Sequence, residues 1–323
     1  MIELSRRSML AGLSAFAVMP ARAEGAWPSR PITLMHGFPP GGPVDTLSRI
    51  LADGLSKRLG QPIAVEPKPG ASGTTVGGQV AHAAADGYTL MAVAATFTAT
   101  AAMFNRLPYN PAEDFTFIST TAQFPLVLVT HPDSPIHSVA DLIRIARSNK
   151  NPLQYGTAGL GSLMHLAMEL FAKEAHIQLQ HIPYQGGMPA ITDLLGKRVD
   201  LVLDPPAVPL QFVKDNKLRA LGVTSASRFF ALPDVPTMVE SGFPEYVVTG
   251  FQGITAPARL PDAITKKINS ALADVLSEPA VIEKLKTTGN SPKPSSPDEF
   301  KARVVSDITL WKSVVADAHL ARI

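Results

Sequence analysis

The sequence predicts an α/β protein with two domains. Short apolar segments alternate with amphipathic segments along most of the chain, as in strands joined by helices in a mostly parallel sheet. The chain has 323 residues, and about 300 residues exceed what one hydrophobic core usually serves. Three Pro/Gly-rich turns each separate a predicted strand from a predicted helix: Phe38–Pro43, Gly156–Ser162 and Pro183–Gly187.

The first part of the chain begins with a strand–turn–helix unit. Ile32–His36 is an apolar strand, and apolar residues then recur at helical spacing from Val44 to Leu55 until Gly60 ends the helix. The next predicted elements are a strand over 63–66, a loop over 67–73, a helix over 76–85, a strand over 88–93, a loop over 105–114 and a strand over 115–120.

A second group of strands follows. A continuous apolar strand over 125–130 is a possible crossing between domains, and Ser138 is placed to cap a helix over 138–148. Further strands are predicted over 153–156, 179–182, 199–203 and 218–223, with helices starting near Ser162 and Pro189. An irregular arm over 225–246 leads to an extended returning segment over 247–256 and to helices over 261–276, 279–287 and 297–318.

The N-terminus has the pattern of a secretory signal peptide, residues 1–23. Arg6 and Arg7 precede an apolar run, which ends in the small-x-small sequence Ala21-Arg-Ala23. The run is too short to span a membrane, so we expect an exported, soluble, periplasmic protein. The arginine pair resembles a twin-arginine signal, and an ordinary secretory signal fits equally well.

Composition excludes several classes of function. The absence of cysteine rules out disulfides, thiolate metal sites and cysteine nucleophiles. Removal of residues 1–23 leaves equal numbers of acidic and basic residues, which disfavours nucleic acid and anionic membranes as partners. No His-x-x-x-His or His-Glu-x-x-His pattern occurs, so we expect no metal and no cofactor.

The three turns are suited to binding an anion. Backbone N–H groups in the first turn of a helix lack internal partners and carry about half a positive charge, so a carboxylate fits there without Lys or Arg. An enzyme is the alternative, because Leu34–Pro39 after a strand is similar to the oxyanion segment of an α/β-hydrolase. The Gly-x-Ser-x-Gly nucleophile motif is missing, and we therefore expect no catalytic residues.

Six segments in order carry a family resemblance. They are Trp27–Ile32, Phe38–Pro43, Ala85–Leu90, Leu107–Tyr109, Tyr184–Gly187 and Ala231–Pro236. In these segments the chain resembles the tripartite tricarboxylate transporter substrate-binding (Bug) family. The resemblance implies a type II periplasmic-binding-protein fold, in which two α/β lobes joined by two crossing strands close on an organic acid. The lobes would comprise residues 24–125 plus 248–323 and residues 126–247.

The resemblance also implies a set of contacts, a ligand and partners. The candidate ligand-binding residues are Phe38, Pro39, Pro40, Gly41, Gly42 and Asp45 in the first lobe, and Thr157, Ala158, Gly161, Ser162, His165, Tyr184, Gly186, Gly187 and Asp204 in the second. The expected role is capture of a small carboxylic acid by a monomer that delivers it to membrane permease subunits. A role in sensing through a sensor kinase is the alternative.

Several candidates also have a purely structural interpretation. Asp45 complements the helix dipole, Ser162 is a suitable N-cap, and His165 could serve only as a hydrogen-bonding partner. Where relatives often carry polar residues this chain has apolar ones, and Gln185 replaces a basic residue. The apolar replacements are Leu160, Leu163 and Met164. We therefore expect a less polar pocket and a ligand with an apolar or aromatic body instead of citrate.

Overall fold

The computed structural model describes residues 27–323. The predicted signal peptide lies outside the described residues. The strands are β1 (Ile32–His36), β2 (Ile63–Pro67), β3 (Thr89–Ala94), β4 (Phe115–Pro125), β5 (Val127–Thr130), β6 (Leu153–Thr157), β7 (Leu179–Pro183), β8 (Leu201–Asp204), β9 (Arg219–Val223), β10 (Thr249–Pro257) and β11 (Ser291–Pro292). The helices are α1 (Pro43–Leu59), α2 (Thr74–Ala81), α3 (Thr96–Met103), α4 (Val139–Ser148), α5 (Leu163–Glu174), α6 (Gly187–Leu195), α7 (Leu210–Lys214), α8 (Asp262–Leu276), α9 (Pro279–Thr287) and α10 (Pro297–Asp317).

The strands form two sheets, one in each lobe. The first sheet has the order β11-β4-β10-β3-β1-β2, and the second has the order β7-β6-β8-β5-β9. The chain passes from the first sheet to the second between β4 and β5, and β10 returns it after the arm that follows β9. The lobe limits at 125 and 247 remain a prediction.

The strand registers set the carboxyl edges of the two sheets face to face. Pro125 ends β4 beside Thr249, the first residue of β10. Two residues after Pro125, Val127 starts β5 beside Asp204, the last residue of β8. Because β6 and β7 run parallel to β8, all three strands end on the side that faces the first sheet. The resulting cleft is the place where open α/β sheets usually bind ligands.

The prediction of mostly parallel sheets is wrong around the two crossing strands. β10 is antiparallel to β3 and β4, and β5 is antiparallel to β8 and β9. The physical reason is topological. A strand that enters a sheet from the other lobe starts at the carboxyl edge of its neighbours and must run in the opposite direction.

Local capping signals fix several helix ends as predicted. Gly60 adopts φ 72° after α1, and the Ser138 hydroxyl accepts the Asp141 N–H at the start of α4. Helix α2 is shorter than predicted and ends at Ala81, where the ring nitrogen Nδ1 of the C-cap residue His82 donates to the Gly78 carbonyl at 2.8 Å. Helix α3 was not predicted.

The hydrophobic core continues from one lobe into the other. One cluster of buried side chains includes Met103 of α3, Phe171 of α5 and Trp311 of α10. Two further clusters pack α1 and α8 on the first sheet and α6 on the second. No helix within residues 27–323 combines the length and apolar character required to cross a bilayer.

Candidate functional site

The three Pro/Gly-rich turns lie at the facing edges of the two sheets. The turn that contains Phe38–Pro43 joins β1 to α1 in the first lobe. The turns that end at Ser162 and Gly187 join β6 to α5 and β7 to α6 in the second lobe. Asp204 ends the neighbouring strand β8. The fold therefore places all the predicted site segments around one cleft.

The two lobes touch at several points around this cleft. A Cβ placed on Gly161 would lie 2.8 Å from Cγ of Met103 in α3. A Cβ on Gly289 in the first lobe would likewise lie 2.7 Å from Cβ of Pro206 in the second. Gly161 has φ 70°, so this position needs glycine both for its backbone conformation and for the contact between lobes.

A buried carboxylate organises the turn of the first lobe. Asp45 is 3 % exposed and accepts the Gly41 N–H at 2.9 Å. The Nε of Arg49 lies 2.9 Å from Oδ2, and the Nε2 of His36 lies 3.0 Å from Oδ1. The Arg49 hydrogen bond, with those of Gly41 and His36, holds the pKa of Asp45 far below its usual range. Asp45 therefore stabilises the β1–α1 turn by accepting hydrogen bonds from the turn backbone and from neighbouring side chains.

Two stacked histidines support the β6–α5 turn. The rings of His165 and His181 are 3.9 Å apart between centroids. The Nδ1 of His165 accepts the Gly161 N–H at 3.1 Å, and the Nε2 of His181 lies 2.6 Å from Oγ1 of Thr157. Burial, with the neighbouring His181, lowers the pKa of His165 to about 3, and burial lowers that of His181 to about 4. Both rings are neutral at pH 7.

A tyrosine–glutamate pair extends this cluster. The Tyr155 hydroxyl donates to Oε1 of Glu169 at 2.5 Å, and its ring stacks on His181 with centroids 5.0 Å apart. Because Nδ1 of His165 is an acceptor, its proton lies on Nε2, which is 3.8 Å from the same Glu169 oxygen. His165 and Thr157, predicted as ligand contacts, thus lie behind the turn with their polar atoms engaged.

Several glycine amides in the turns have partners within the turns. The Gly41 N–H bonds Asp45, the Gly161 N–H bonds His165, and the Gly42 N–H closes a turn in its own loop at 3.3 Å. These glycines shape the backbone. Their role as ligand contacts remains a prediction.

The unpaired amides lie at the three helix starts that follow these turns. They belong to Val44 and Asp45 of α1, Leu163 and Met164 of α5, and Gly187 and Met188 of α6. Within residues 27–323 no acceptor bonds these six N–H groups. Gly42 and Gly186, the N-cap residues of α1 and α6, supply no side-chain cap. The helix starts at this cleft are therefore open to an anion.

Asp204 lies beside the last of these helix starts. Its carboxylate packs so closely on Gly187 that a Cβ on residue 187 would overlap Oδ2. Asp204 is 2 % exposed, and no described residue donates to its Oδ2. Burial alone raises the pKa of Asp204 to about 7.

The remaining predicted residues line the turns at different depths. Pro39 and Pro40 are exposed, whereas Phe38 and Ala158 are half-buried. The Tyr184 hydroxyl donates to Oδ2 of Asp193 at 2.8 Å, which holds its ring against α6.

The predicted apolar lining needs a correction. Leu163 is 4 % exposed and belongs to the core cluster with Phe171. Met164 is half-buried against the same cluster, because the first turn of α5 faces the core. Leu160 is 52 % exposed, and Met188, which the sequence reasoning missed, is 50 % exposed. These two side chains provide the exposed apolar surface of the turns.

Sequence reasoning also missed two neighbours of the first turn. A Cβ on Gly37 would overlap Cα of Gly73, so the loop before α2 packs directly on the β1–α1 turn. Helix α3 starts after β3 at the same edge of the sheet. The Gly-Ala-Ser-Gly segment at 70–73 was the available signal for the first neighbour, whereas α3 has no amphipathic pattern.

A large groove lies at the opposite end of the first lobe. It has a volume of about 970 Å³ and is lined by Phe115 at the start of β4. Its charged lining residues are acidic Glu113, Asp114, Asp262 and Asp298 and basic Arg259, Lys266 and Lys301. The groove therefore concentrates neither sign of charge. Within residues 27–323 no three His, Asp or Glu side chains are grouped to bind a metal ion.

The fold and the cleft define a two-lobe periplasmic-binding-protein architecture. The solved structure of the periplasmic binding protein BugD is 31 % identical, with a TM-score of 0.76, and the match covers 92 % of this chain and 100 % of BugD. A family model described as the tripartite tricarboxylate transporter family receptor (TctC) matches residues 47–320. The chain belongs to this family, whose members are solute-binding receptors.

Two similar structures were solved with carboxylic acids. Rpa4515 from R. palustris with adipate is 33 % identical, has a TM-score of 0.79, and the match covers 92 % of this chain and all of that chain. MatC from Rhodopseudomonas palustris with bound malate is 30 % identical and has a TM-score of 0.75. The match covers 89 % of this chain and 99 % of MatC. Both neighbours thus bind small carboxylates.

Proposed function

We propose that this protein is an exported, periplasmic binding protein that captures a small organic carboxylate between its two lobes and presents it to the permease subunits of a tripartite tricarboxylate-type transporter. It acts as a monomer and catalyses no reaction. The lobes comprise residues 24–125 plus 248–323 and residues 126–247. The 1–23 segment directs export.

The observation that carries the proposal is the set of unpaired amides at facing helix starts. Helix α1 contributes two N–H groups from the first lobe, and α5 and α6 contribute four from the second. A carboxylate that bridges them gains charge-assisted hydrogen bonds of about 1.5–3 kcal/mol each. A few such bonds offset the ordering costs and reach about 8 kcal/mol, which corresponds to micromolar affinity. Because donors come from both lobes, the loaded protein favours the closed form.

The exposed apolar side chains narrow the ligand class. Leu160 on the β6–α5 turn and Met188 at the start of α6 flank the amides of the second lobe. Their surface suits a carboxylic acid with a methylene chain or an aromatic ring, and adipate, bound by a structural neighbour, has such a chain. Calorimetry should therefore give a lower Kd for adipate or benzoate than for citrate, and the opposite order would refute this preference.

A thermal-shift screen of carboxylic acids tests the function itself. Ligand at about 100 times its Kd adds about 2.7 kcal/mol of stability, which raises Tm by several degrees. The uncharged amides of the same acids are the control, because they lack the anion that the helix starts attract. A shift with the amides equal to that with the acids would contradict the proposal.

A further inference from the structure

The proposed function leaves one buried acidic group in the cleft without a role. Asp204 ends β8 at the carboxyl edge of the second sheet, where its backbone pairs with Val127 at the crossing. Its side chain is 2 % exposed, and Oδ2 has no hydrogen-bond donor among residues 27–323. A buried carboxyl oxygen without a partner is costly, so it is expected to meet one in the functional state.

The position of Asp204 brings it next to a bound anion. Oδ2 packs on Cα of Gly187, the first residue of α6. The N–H groups of Gly187 and Met188 are two of the open amides of the cleft. A carboxylate seated on these amides therefore lies within hydrogen-bonding reach of Asp204.

In the part of the chain that the structure describes, no cation offsets a negative charge on Asp204. The elements packed on β8 are β5, β6, α5 and α6. Their titratable side chains are Tyr155 on β6, Asp193 on α6, and His165, Glu169, Lys173 and Glu174 on α5, and β5 has none. Asp204 lies on the α6 face of the sheet like Val202, whereas Leu203 faces the core cluster that contains Tyr155 and α5. Asp193 is already bonded to Tyr184 and Arg198. Across the cleft, Arg49 and His36 are bonded to Asp45.

From this arrangement we propose that Asp204 is protonated in the loaded protein and donates its O–H to the ligand carboxylate, so that at pH 8 the protein takes up close to one proton from solvent with each carboxylate that it binds. This inference rests on the proposed function and deepens it. An ionised Asp204 would repel the ligand, whereas the acid form supplies a hydrogen-bond donor to it. The pKa of about 7 in the empty cleft makes the proton available at neutral pH, and a nearby anion raises that pKa further.

Proton capture makes affinity depend on pH in a defined direction. Below pH 7, Asp204 of the ligand-free protein already carries its proton. Above pH 7, the Asp204 carboxyl must take up a proton from solvent when the ligand binds. The Kd for adipate or malate should therefore increase about tenfold from pH 6 to pH 8. Calorimetry at pH 8 in HEPES and in Tris, which differ in ionisation enthalpy, should show the uptake of close to one proton per ligand.

The wild type and two variants test whether Asp204 causes the pH dependence of binding. In Asp204→Asn the amide still donates a hydrogen bond but does not titrate, so binding should persist with a Kd that is equal at pH 6 and pH 8. Asp215→Asn removes an exposed carboxylate of the same lobe and should keep the tenfold dependence of the wild type. The wild-type measurements need no variant, so the test survives if Asp204→Asn fails to fold.

A ligand-free measurement distinguishes failure of this inference from failure of the proposed function. Carbon-13 NMR of aspartate carboxyl groups should show one titration near pH 7 that moves upward with adipate. A titration of Asp204 below pH 5 overturns the proton capture whether or not an acid binds. Equal wild-type Kd values at pH 6 and pH 8 overturn it while leaving carboxylate binding intact. Binding of no acid overturns both.

Discussion

Acidification should destabilise this protein through the two histidines behind the β6–α5 turn. The folded protein keeps the pKa of His165 near 3 and that of His181 near 4, whereas unfolded histidine titrates near 6.5. Between these values the unfolded chain binds protons that the folded protein does not. The free energy of unfolding therefore falls as the pH falls.

The magnitude follows from the size of the window. A full difference of one proton changes the free energy of unfolding by about 1.4 kcal/mol per pH unit. From pH 6.5 to pH 4.5, each histidine therefore contributes a loss of about 2 kcal/mol. Because the two rings are stacked, we expect about 2–4 kcal/mol for the pair. Protonation of His165 also removes the acceptor of the Gly161 N–H.

Urea denaturation followed by circular dichroism at the two pH values tests this reasoning. His165→Asn keeps an acceptor near the position of Nδ1, and His181→Gln keeps a polar atom near that of Nε2, but neither side chain titrates. The double variant should lose about 2–4 kcal/mol less than the wild type between pH 6.5 and pH 4.5. Other groups, including Asp204, are common to both proteins and cancel. An equal loss in both proteins would refute the assignment.

Three substitutions give further predictions. Gly42→Val should abolish the ligand-induced thermal shift, because Gly42 is the N-cap of α1 and a side chain there would stand next to the open N–H groups of Val44 and Asp45. The ligand-free Tm should fall by only a few degrees, because φ of Gly42 is −73° and the added Cβ would approach only the Pro39 carbonyl, at 3.2 Å; a collapse of the fold would identify Gly42 as a purely structural glycine. Asp45→Asn should reduce the free energy of unfolding by about 1–3 kcal/mol in urea denaturation, because the amide NH2 that replaces one carboxylate oxygen cannot accept the hydrogen bonds that Gly41 N–H and Arg49 Nε–H now donate to Oδ2, and an unchanged value would contradict this. Ser296→Ala removes the capping box with Glu299 and should cost about 1 kcal/mol of stability. It should leave the adipate Kd unchanged in calorimetry, since Pro297 and Asp298 at the start of α10 line the groove at the opposite end of the first lobe.

Elements with strong local signals were predictable from the sequence. The α1 helix has Pro43 at its start, an apolar stripe and Gly60 at its end, and the structure confirms those limits within a few residues. Ser138 and Ser162 cap α4 and α5 as their positions indicated. Such signals depend on bonds between residues three or four apart, so the local sequence is sufficient.

Helix α3 shows where local reasoning fails. Every residue from Phe97 to Met103 is buried, so no polar face gives the sequence a helical period. The helix is surrounded by the first sheet, α10 and the second lobe. Its stability comes from these neighbours, and three threonines in eight residues give it little intrinsic propensity.

The candidate site was likewise predictable from the sequence only in part. The Pro/Gly-rich turns pointed to helix starts that bind an anion, and the structure places all three at the cleft. The sequence did not show which amides remain open, because the Gly41 and Gly161 N–H groups are taken by Asp45 and His165. Leu163 likewise faces the core, while Met188 faces solvent.

The sequence by itself determined the α/β class, the family resemblance and the turns that could hold a carboxylate. Those properties depend on residue types at short spacing. The direction of the crossing strands, the stacked histidines and the unpartnered Asp204 were decided only by the tertiary structure. Each depends on groups that are distant along the chain, and burial and pairing in such groups are set when the two sheets are brought edge to edge.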